Sequence, residues 1–399
     1  MDINKKKATT FVILLGCISL FADMTYESAR SINGQYLEVL GTSGTTVGWV
    51  AGLGELLGYG LRIVSGYFAD KTKKYWLIAI SGYIINLLSV PLLALAGYWQ
   101  LAVVLMILER IGKALRTPSR DAMLSFGASQ MGSGWGFGLH EAMDQTGATV
   151  GPLLIALALY AHNNNYKIAY AFLAIPAIIA ITILLVASSL YPNPSNLEIK
   201  NTSLVTKGYP KLFWLYILST VFIALGYADF PLMAYHFKSH SIMNDETIPI
   251  FYAIAMAAEG LVALLLGKLF DKLGITVLIV ASFIAFFFAP LVFRGNFFMA
   301  LIGVIIWGIG MGAQESVMKA IVAEMLPAQN RGKGFGLFNT AFGTFWFTGS
   351  FIMGRLYDIS INRLILFSVI TQLIAVILLV FLIDGKALKI LKVKQNIHT

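Results

Sequence analysis

The stretch Gly66-Tyr67-Phe68-Ala69-Asp70-Lys71-Thr72-Lys73-Lys74 is a short charged turn between two apolar runs. Each run is long enough to cross a bilayer. Lysines crowded at the edge of a membrane span mark its cytoplasmic side. The turn recurs about 200 residues later as Gly267-Lys268-Leu269-Phe270-Asp271-Lys272-Leu273-Gly274, with the same Gly-to-Asp spacing and a Lys after each Asp. An acid precedes each copy, Glu55 the first and Glu259 the second. Two such turns, offset by half the chain, predict a membrane protein built as a tandem repeat.

Composition agrees. The chain has 399 residues, of which 58% are hydrophobic and 12% charged, whereas soluble domains carry about 25% charged residues. The net charge of +9 does not point to nucleic acid, because Lys and Arg fall mostly in alternate loops rather than on one face. It fits anionic lipid headgroups and membrane topology. Cys17 is the single cysteine, so no intrachain disulfide and no thiolate metal site is expected. Lys5–Lys7 and the apolar run from Phe11 to Phe21 have the outline of a signal peptide. The run continues through Asp23 and Glu27 with no cleavage site, so it reads as a first span.

Twelve spans are predicted, near 9–38, 44–70, 75–97, 99–120, 134–160, 167–190, 212–237, 247–271, 275–293, 297–325, 333–357 and 362–384. One long polar interruption, 191–211, contains Pro192, Asn193, Pro194 and Ser195 and reads as a linker. It divides the chain into an N-terminal six-helix bundle (1–190) and a C-terminal one (212–399). Lys71, Lys73, Lys74, Arg120, Lys200, Lys207, Lys211, Lys272 and Arg331 fall in one set of loops; the opposite set holds only Lys167, Lys238, Arg294 and Arg363. That asymmetry predicts a cytoplasmic-membrane protein with both termini inside.

The repeat extends further. Gly136-Phe137-Gly138-Leu139 matches Gly334-Phe335-Gly336-Leu337, and Gly151 and Gly349 keep the same offset of 198 residues. Ala22-Asp23 is a candidate counterpart of Ala228-Asp229. The turn pattern Gly-x-x-x-Asp-(Arg/Lys)-x-x-(Arg/Lys), with a worn second copy, resembles the signature loop of the major facilitator superfamily. Thr72 stands where that family often has Gly. The resemblance implies an all-α membrane protein of twelve transmembrane helices in two pseudo-symmetric six-helix bundles. It also implies alternating access to a small-molecule substrate. In that family the acid equivalent to Asp70 docks on the cytoplasmic start of span 11, here near Gly332–Gly334. The implied gating set is Gly66, Asp70, Lys71, Lys74 and Asp271.

Charges at membrane depth cost about 2.5 kcal/mol or more each on insertion scales, so they need partners or an aqueous cavity. Asp23, Glu27 and Arg30 stand at i, i+4 and i+7 of span 1 and share one helical face. Glu27 and Arg30 are able to pair, which leaves Asp23 over. Asp23 lies about fourteen residues into its span, near the midplane, where a carboxylate could carry a proton. Asp23 is the first candidate for proton coupling, with Glu27 and Asp144 beside it. Span 4 reads Glu109-Arg110-Ile111-Gly112-Lys113-Ala114-Leu115-Arg116-Thr117-Pro118. Arg110, Gly112 and Pro118 resemble the span 4 motif of proton-driven exporters in the superfamily, whose Arg tunes a nearby acid. Antiparallel spans 4 and 5 suggest an Arg110–Asp144 pair, while Lys113 and Arg116 are expected on Glu141, Asp121 or lipid phosphate. His140 is expected to be simply hydrogen-bonded. Gly147-x-x-x-Gly151-Pro152 resembles the core of the span 5 antiporter motif, with Leu153 and Leu154 where Gly-Gly usually follows. The small residues permit close helix contact, and Pro152 permits a bend.

Candidate substrate-cavity residues are Arg30, Arg110, Glu141, Asp229, Glu259, Gln314 and Trp346. Lys319 stands four residues after Glu315, the spacing of a structural ion pair. No phosphate-binding glycine loop, metal constellation or nucleophile–base pair occurs at a usable spacing, and Gly134-x-Gly136-x-Gly138 lies within a span without a flanking strand. The chain therefore reads as a transporter and not an enzyme, without cofactor or metal, and acting as a monomer among membrane lipids. The leading expectation is a proton-coupled exporter of small organic solutes. A coupled importer or a uniporter shares the fold, and a membrane sensor or lipid scramblase is the alternative of another class. The acids of spans 1 and 7 suit a cation and Arg110 and Lys113 an anion, so charge does not choose the substrate.

Overall fold

The computed structural model describes residues 3–130, 133–194, 211–326 and 328–384. Every regular element among them is helical. The first five long helices are α1 (Ile3–Val39), α2 (Gly44–Thr72), α3 (Tyr75–Leu92), α4 (Trp99–Ala128) and α5 (Ser133–Ala161). Three later spans are interrupted, each at the place where a proline withholds the N–H due to the carbonyl four residues earlier. Pro176 accompanies the break between α6 (Tyr166–Phe172) and α7 (Ala174–Leu190). Pro231 accompanies that between α8 (Lys211–Leu225) and α9 (Phe230–Ser239). After α10 (Thr247–Leu273), Pro290 accompanies the break between α11 (Thr276–Ala285) and α12 (Phe288–Arg294). The next span runs from α13 (Phe297–Ala313) through a π-helical turn (Gln314–Met318) into α14 (Lys319–Met325). Two helices, α15 (Ala328–Ile359) and α16 (Ile361–Asp384), complete the chain's described part.

Ten of these segments are long and apolar enough to cross a membrane. The other two long helices are α4 and α15. Helix α4 carries Glu109, Arg110, Lys113, Arg116, Arg120 and Asp121, and its charge keeps it off a hydropathy-based count. The positions of all twelve long segments match the spans read from sequence. The linker interval 191–211 is described at 191–194 and 211; residues 195–210 lie outside the described residues. Tyr191 is anchored, its carbonyl accepting from Trp76 Nε1 at 2.8 Å and its ring lying 4.9 Å from Phe11.

The signature turn keeps its geometry in both copies. Lys73 caps α2 in the left-handed region (φ 55°), with its N–H on the Ala69 carbonyl at 2.8 Å. Gly274, 201 residues on, has φ 58° and donates to Phe270 at the same distance. Thr72 remains helical, and the left-handed residue falls at the same position of both copies, Lys73 and Gly274.

Compact packing divides the chain into two units. The first comprises Met1–Thr202 with Phe230–Met256. Its centre is α1, which packs against α5, α7, α9 and α4. Gly151 lets α5 close onto α1: a Cβ there would stand 2.7 Å from the Met24 carbonyl oxygen. Gly34 has the Pro231 carbonyl where its Cβ would be, which explains how α9 reaches α1. Tyr235 then donates to the Thr42 carbonyl at 2.9 Å.

The second unit comprises Ser203–Asp229 with Ala257–Thr399. Here α8 packs against α15 and α16. Gly349 faces the backbone of Leu225, where an added Cβ would stand 2.7 Å from the Leu225 Cα, as Gly151 faces Met24. Met24 and Leu225 are 201 residues apart, the offset of the signature turns. This register sets Asp23 against Ala224, so the Ala22-Asp23/Ala228-Asp229 correspondence does not hold; Asp229 lies beyond the end of α8. The backbone freed at that break is satisfied internally. Ser368 Oγ donates to the Gly226 carbonyl at 2.7 Å and Trp307 Nε1 to the Ala228 carbonyl at 2.9 Å.

Candidate functional site

In the first unit the shared face of α1 is buried. Asp23, Glu27 and Arg30 are 6%, 7% and 8% exposed. Glu27 and Arg30 do not take each other as partners. Arg30 Nη2 reaches Glu55 Oε1 on α2 at 3.0 Å, and Glu27 Oε1 faces Lys113 Nζ on α4 at 3.5 Å. Tyr252 on α10 donates to Oε2 of Glu27. Side chains on one helical face project towards neighbouring helices, and these supply the opposite charges.

Glu55 is the hub that the sequence left unassigned. The same Oε1 faces Arg110 Nη1 at 3.4 Å, and Gly54 makes room, since a Cβ there would stand 2.9 Å from Arg110 Cγ. Arg110 Nε is 3.3 Å from Glu109 Oε2. Glu109 Oε1 accepts from Asn86 Nδ2 at 2.8 Å, and Asn86 Oδ1 accepts from Arg116 Nε at 3.2 Å. Gly82 and Gly112 allow this, because each has the opposing backbone of α3 or α4 within its Cβ volume. Three acids (Glu27, Glu55, Glu109) thus face three bases (Arg30, Arg110, Lys113) in ion pairs, and Arg116 joins them through Asn86.

A second cluster lies along the α1–α4–α5 contact. Asp144 Oδ2 is 3.5 Å from Arg120 Nη1 and 3.5 Å from His140 Nδ1. Ser19 Oγ lies 3.0 Å from His140 Nε2 and accepts from Arg120 Nη1 at 3.1 Å. Arg120 Nη2 also holds Asp121 at 2.8 Å. The cation on Asp144 is therefore Arg120 and not Arg110, which lies ten residues, or about 15 Å of helix, away. Lys113 and Arg116 likewise avoid Glu141 and Asp121. Lys113 lies over the Tyr26 ring at 3.9 Å and Arg116, fully buried, over Tyr83 at 4.3 Å. Asp23 and Asp144 each keep one buried oxygen, Oδ1, without a hydrogen-bond partner. Gly147 brings them together: its Cβ would stand 3.1 Å from Asp23 Cβ, against the Leu20 carbonyl. Glu141 is exposed and accepts from Gln145 at 3.3 Å. Pro152 follows Gly151 inside α5 without ending it.

In the second unit Asp229 is buried and accepts from Trp346 Nε1 at 2.8 Å and Ser350 Oγ at 3.2 Å. Glu259 is buried, its carbonyl against Gly312. Gln314, in the π-turn, borders a small cavity with Tyr227, Ser282 and Gln372, and neither of its amide atoms has a hydrogen-bond partner. Glu315 and Lys319 form the ion pair their spacing predicts. Of the residues expected to gate, Gly66 lies beside Pro118, whose Cβ would stand 3.4 Å from a Cβ added at Gly66, and Asp70, Lys71 and Lys74 are exposed. The side chain of Asp271 lies outside the described residues, as do those of 328–333, where the expected partner of Asp70 begins.

The Major Facilitator Superfamily profile matches residues 14–349 and 212–395, and the chain belongs to this family. An uncharacterized protein of Mycobacterium tuberculosis is 38% identical over 378 residues, covering 93% of this chain and 92% of the relative. An uncharacterized MFS-type transporter of Methanocaldococcus jannaschii is 28% identical, covering 95% and 96%. The class H tetracycline resistance protein of Pasteurella multocida is 28% identical over 145 residues, 35% of this chain and 36% of that one. The fold is that of the nucleoside transporter NupG, with a TM-score of 0.71 at 15% identity over 94% of this chain and 98% of that structure. The protein is a multi-pass membrane transporter with the major facilitator fold, and not an enzyme.

Proposed function

We propose that the protein exports a small organic solute in exchange for protons, across the cytoplasmic membrane and with both termini inside. The supporting observation is the contrast between two sets of buried acids in the first unit. Glu27, Glu55 and Glu109 are each held by a cation at 3.5 Å or less. Asp23 and Asp144 each retain a buried, unpartnered oxygen and adjoin each other at Gly147. Asp23, in no ion pair among the described residues, can take up and give back a proton without dismantling one, and Asp144, which faces Arg120 through Oδ2 at 3.5 Å, keeps Oδ1 for a proton. The partial likeness to a tetracycline resistance protein supports the exporter branch.

In this account the halves 1–190 and 212–399 rock about the linker 191–211 by alternating access. Asp70 and Asp271, with Gly66, Lys71 and Lys74, govern the cytoplasmic side. Arg30, Arg110, Glu141, Asp229, Glu259, Gln314 and Trp346 remain the candidates for substrate contact, and Gly147, Gly151 and Pro152 set the α1–α5 contact. The test is purified protein in liposomes loaded with a pH-sensitive dye. Tetracycline, lipophilic cations, sugars, amino acids and organic acids are added in turn under an imposed pH gradient. Proton flux opposite in direction to the solute supports export. Flux in the same direction assigns an importer, and solute movement without proton flux rejects the coupling.

A further inference from the structure

We infer that Arg62 on α2 anchors an anion site, which takes a carboxylate or phosphate group of the transported solute. The inference rests on the transporter reading above and names the charge of its cargo. The first unit holds five arginines, at 30, 62, 110, 116 and 120. Four have partners: Arg30 and Arg110 on Glu55, Arg120 on Asp121, and Arg116 on Asn86. The guanidinium of Arg62 makes no ion pair and no hydrogen bond among the described residues, and its Nε is buried without a partner. Glu55 stands seven residues earlier on the same helical face. Its Oε1 is already shared by Arg30 at 3.0 Å and Arg110 at 3.4 Å.

A charge at membrane depth needs a partner or water. Arg62 lies ten residues, about 15 Å of helix, before the end of α2 at Thr72. Its Cζ stands over the Tyr59 ring, 5.2 Å from the centroid. That contact covers one face of the guanidinium and leaves its in-plane N–H donors. They form a fork without an acceptor, which matches the paired oxygens of a carboxylate or phosphate. There is room on this side of the helix. Gly58, one turn earlier, is buried, yet nothing lies within 4 Å of a Cβ added there. Helical side chains lean towards the N-terminus of their own helix, and the contact with Tyr59, three residues back, follows that rule. The guanidinium is thus directed away from the Lys71–Lys74 end of α2, where lysines gather lipid phosphates. This direction favours a solute over a lipid headgroup as the source of the anion.

The test is chemical labelling of the full chain in phosphatidylcholine nanodiscs with phenylglyoxal, which adds to unpaired guanidinium groups. Mass spectrometry reads the rate at each arginine. The probes are benzoate, citrate and inorganic phosphate, each against chloride at the same ionic strength. The expected result is that Arg62 is modified several-fold faster than Arg30 and Arg110, and that at least one probe slows it several-fold. That same probe should raise the melting temperature of wild type and not of Arg62→Gln; the labelling stands even if the variant fails to fold. Arg62 as slow as Arg110, or equal rates in all three probes and chloride, overturns the inference, as does an equal rise in melting temperature for both proteins. Slowing by added phosphatidylglycerol with all three probes inert overturns it in favour of a lipid headgroup. Neither protons nor transport enter the measurement. Its failure therefore leaves proton-coupled export standing, and a negative liposome result leaves the Arg62 site standing.

Discussion

The hydroxyl of Tyr252 donates to Oε2 of Glu27, joining a helix of the second sequence half to the charged face of α1. The other oxygen of Glu27 faces Lys113. The acid is therefore satisfied from two helices at once, and its partners are separated by about 140 residues of sequence.

Tyr252→Phe removes one donor and leaves the ring in place. A buried acceptor left unsatisfied costs about 1–3 kcal/mol. The apparent melting temperature of the detergent-purified variant should fall below wild type, while Lys113→Met should lower it further by stranding the charge itself. Equal melting temperatures for Tyr252→Phe and wild type would show that the bond contributes nothing.

Glu55 serves Arg30 and Arg110 through one oxygen. Breaking a buried ion pair from one side costs about 3–5 kcal/mol. Glu55→Gln should sharply reduce the yield of monodisperse protein. The charge-balanced double variant Glu55→Gln/Arg110→Gln should recover much of it. Size-exclusion profiles of the three proteins decide the matter, and a double variant worse than both singles would contradict the hub.

Close helix approach makes a graded prediction. At Gly112 an added Cβ meets the backbone of Asn86, whereas at Gly58 nothing lies within 4 Å. Overpacking costs typically about 1–3 kcal/mol. Gly112→Ala should therefore destabilise the protein and Gly58→Ala should not, as read by thermal unfolding of each. The same loss from both would remove the α3–α4 contact as the explanation.

At one equivalent position the two signature turns hold Lys73 and Gly274, both with positive φ. A left-handed conformation costs a residue with a side chain about 1–2 kcal/mol. Lys73→Gly should raise the melting temperature slightly, and Gly274→Ala should lower it. Opposite signs would show that the turns are held by other contacts.

Much of the fold was legible because it rests on one-dimensional signals: run length, loop charge and the recurrence of Gly66–Lys74 as Gly267–Gly274. The proline breaks were not placed, although Pro176, Pro231 and Pro290 each mark one by the missing N–H. The buried acids and bases were recognised individually, because a charge in an apolar run is conspicuous. Their pairing was not. Asp144 was set against Arg110 from a depth estimate, yet Arg110 is drawn to Glu55 through the space left by Gly54. Partners on α2 and α10, such as Glu55 and Tyr252, depend on which helices touch, and no periodicity carries that. His140 was read as an ordinary hydrogen-bonded histidine, and it is bonded to Ser19 of α1; Asp144, four residues on in the same helix, is near it by spacing alone.

The central claim is that Asp23 and Asp144 carry the coupling proton. The most direct measurement is solute-driven proton flux in liposomes, using whichever compound of the panel moves protons, for wild type, Asp23→Asn and Asp144→Asn. The account predicts that both variants still bind the compound and that both lose the proton flux. Proton flux at the wild-type rate in either variant, with protein correctly folded, would contradict it and return that acid to a structural role.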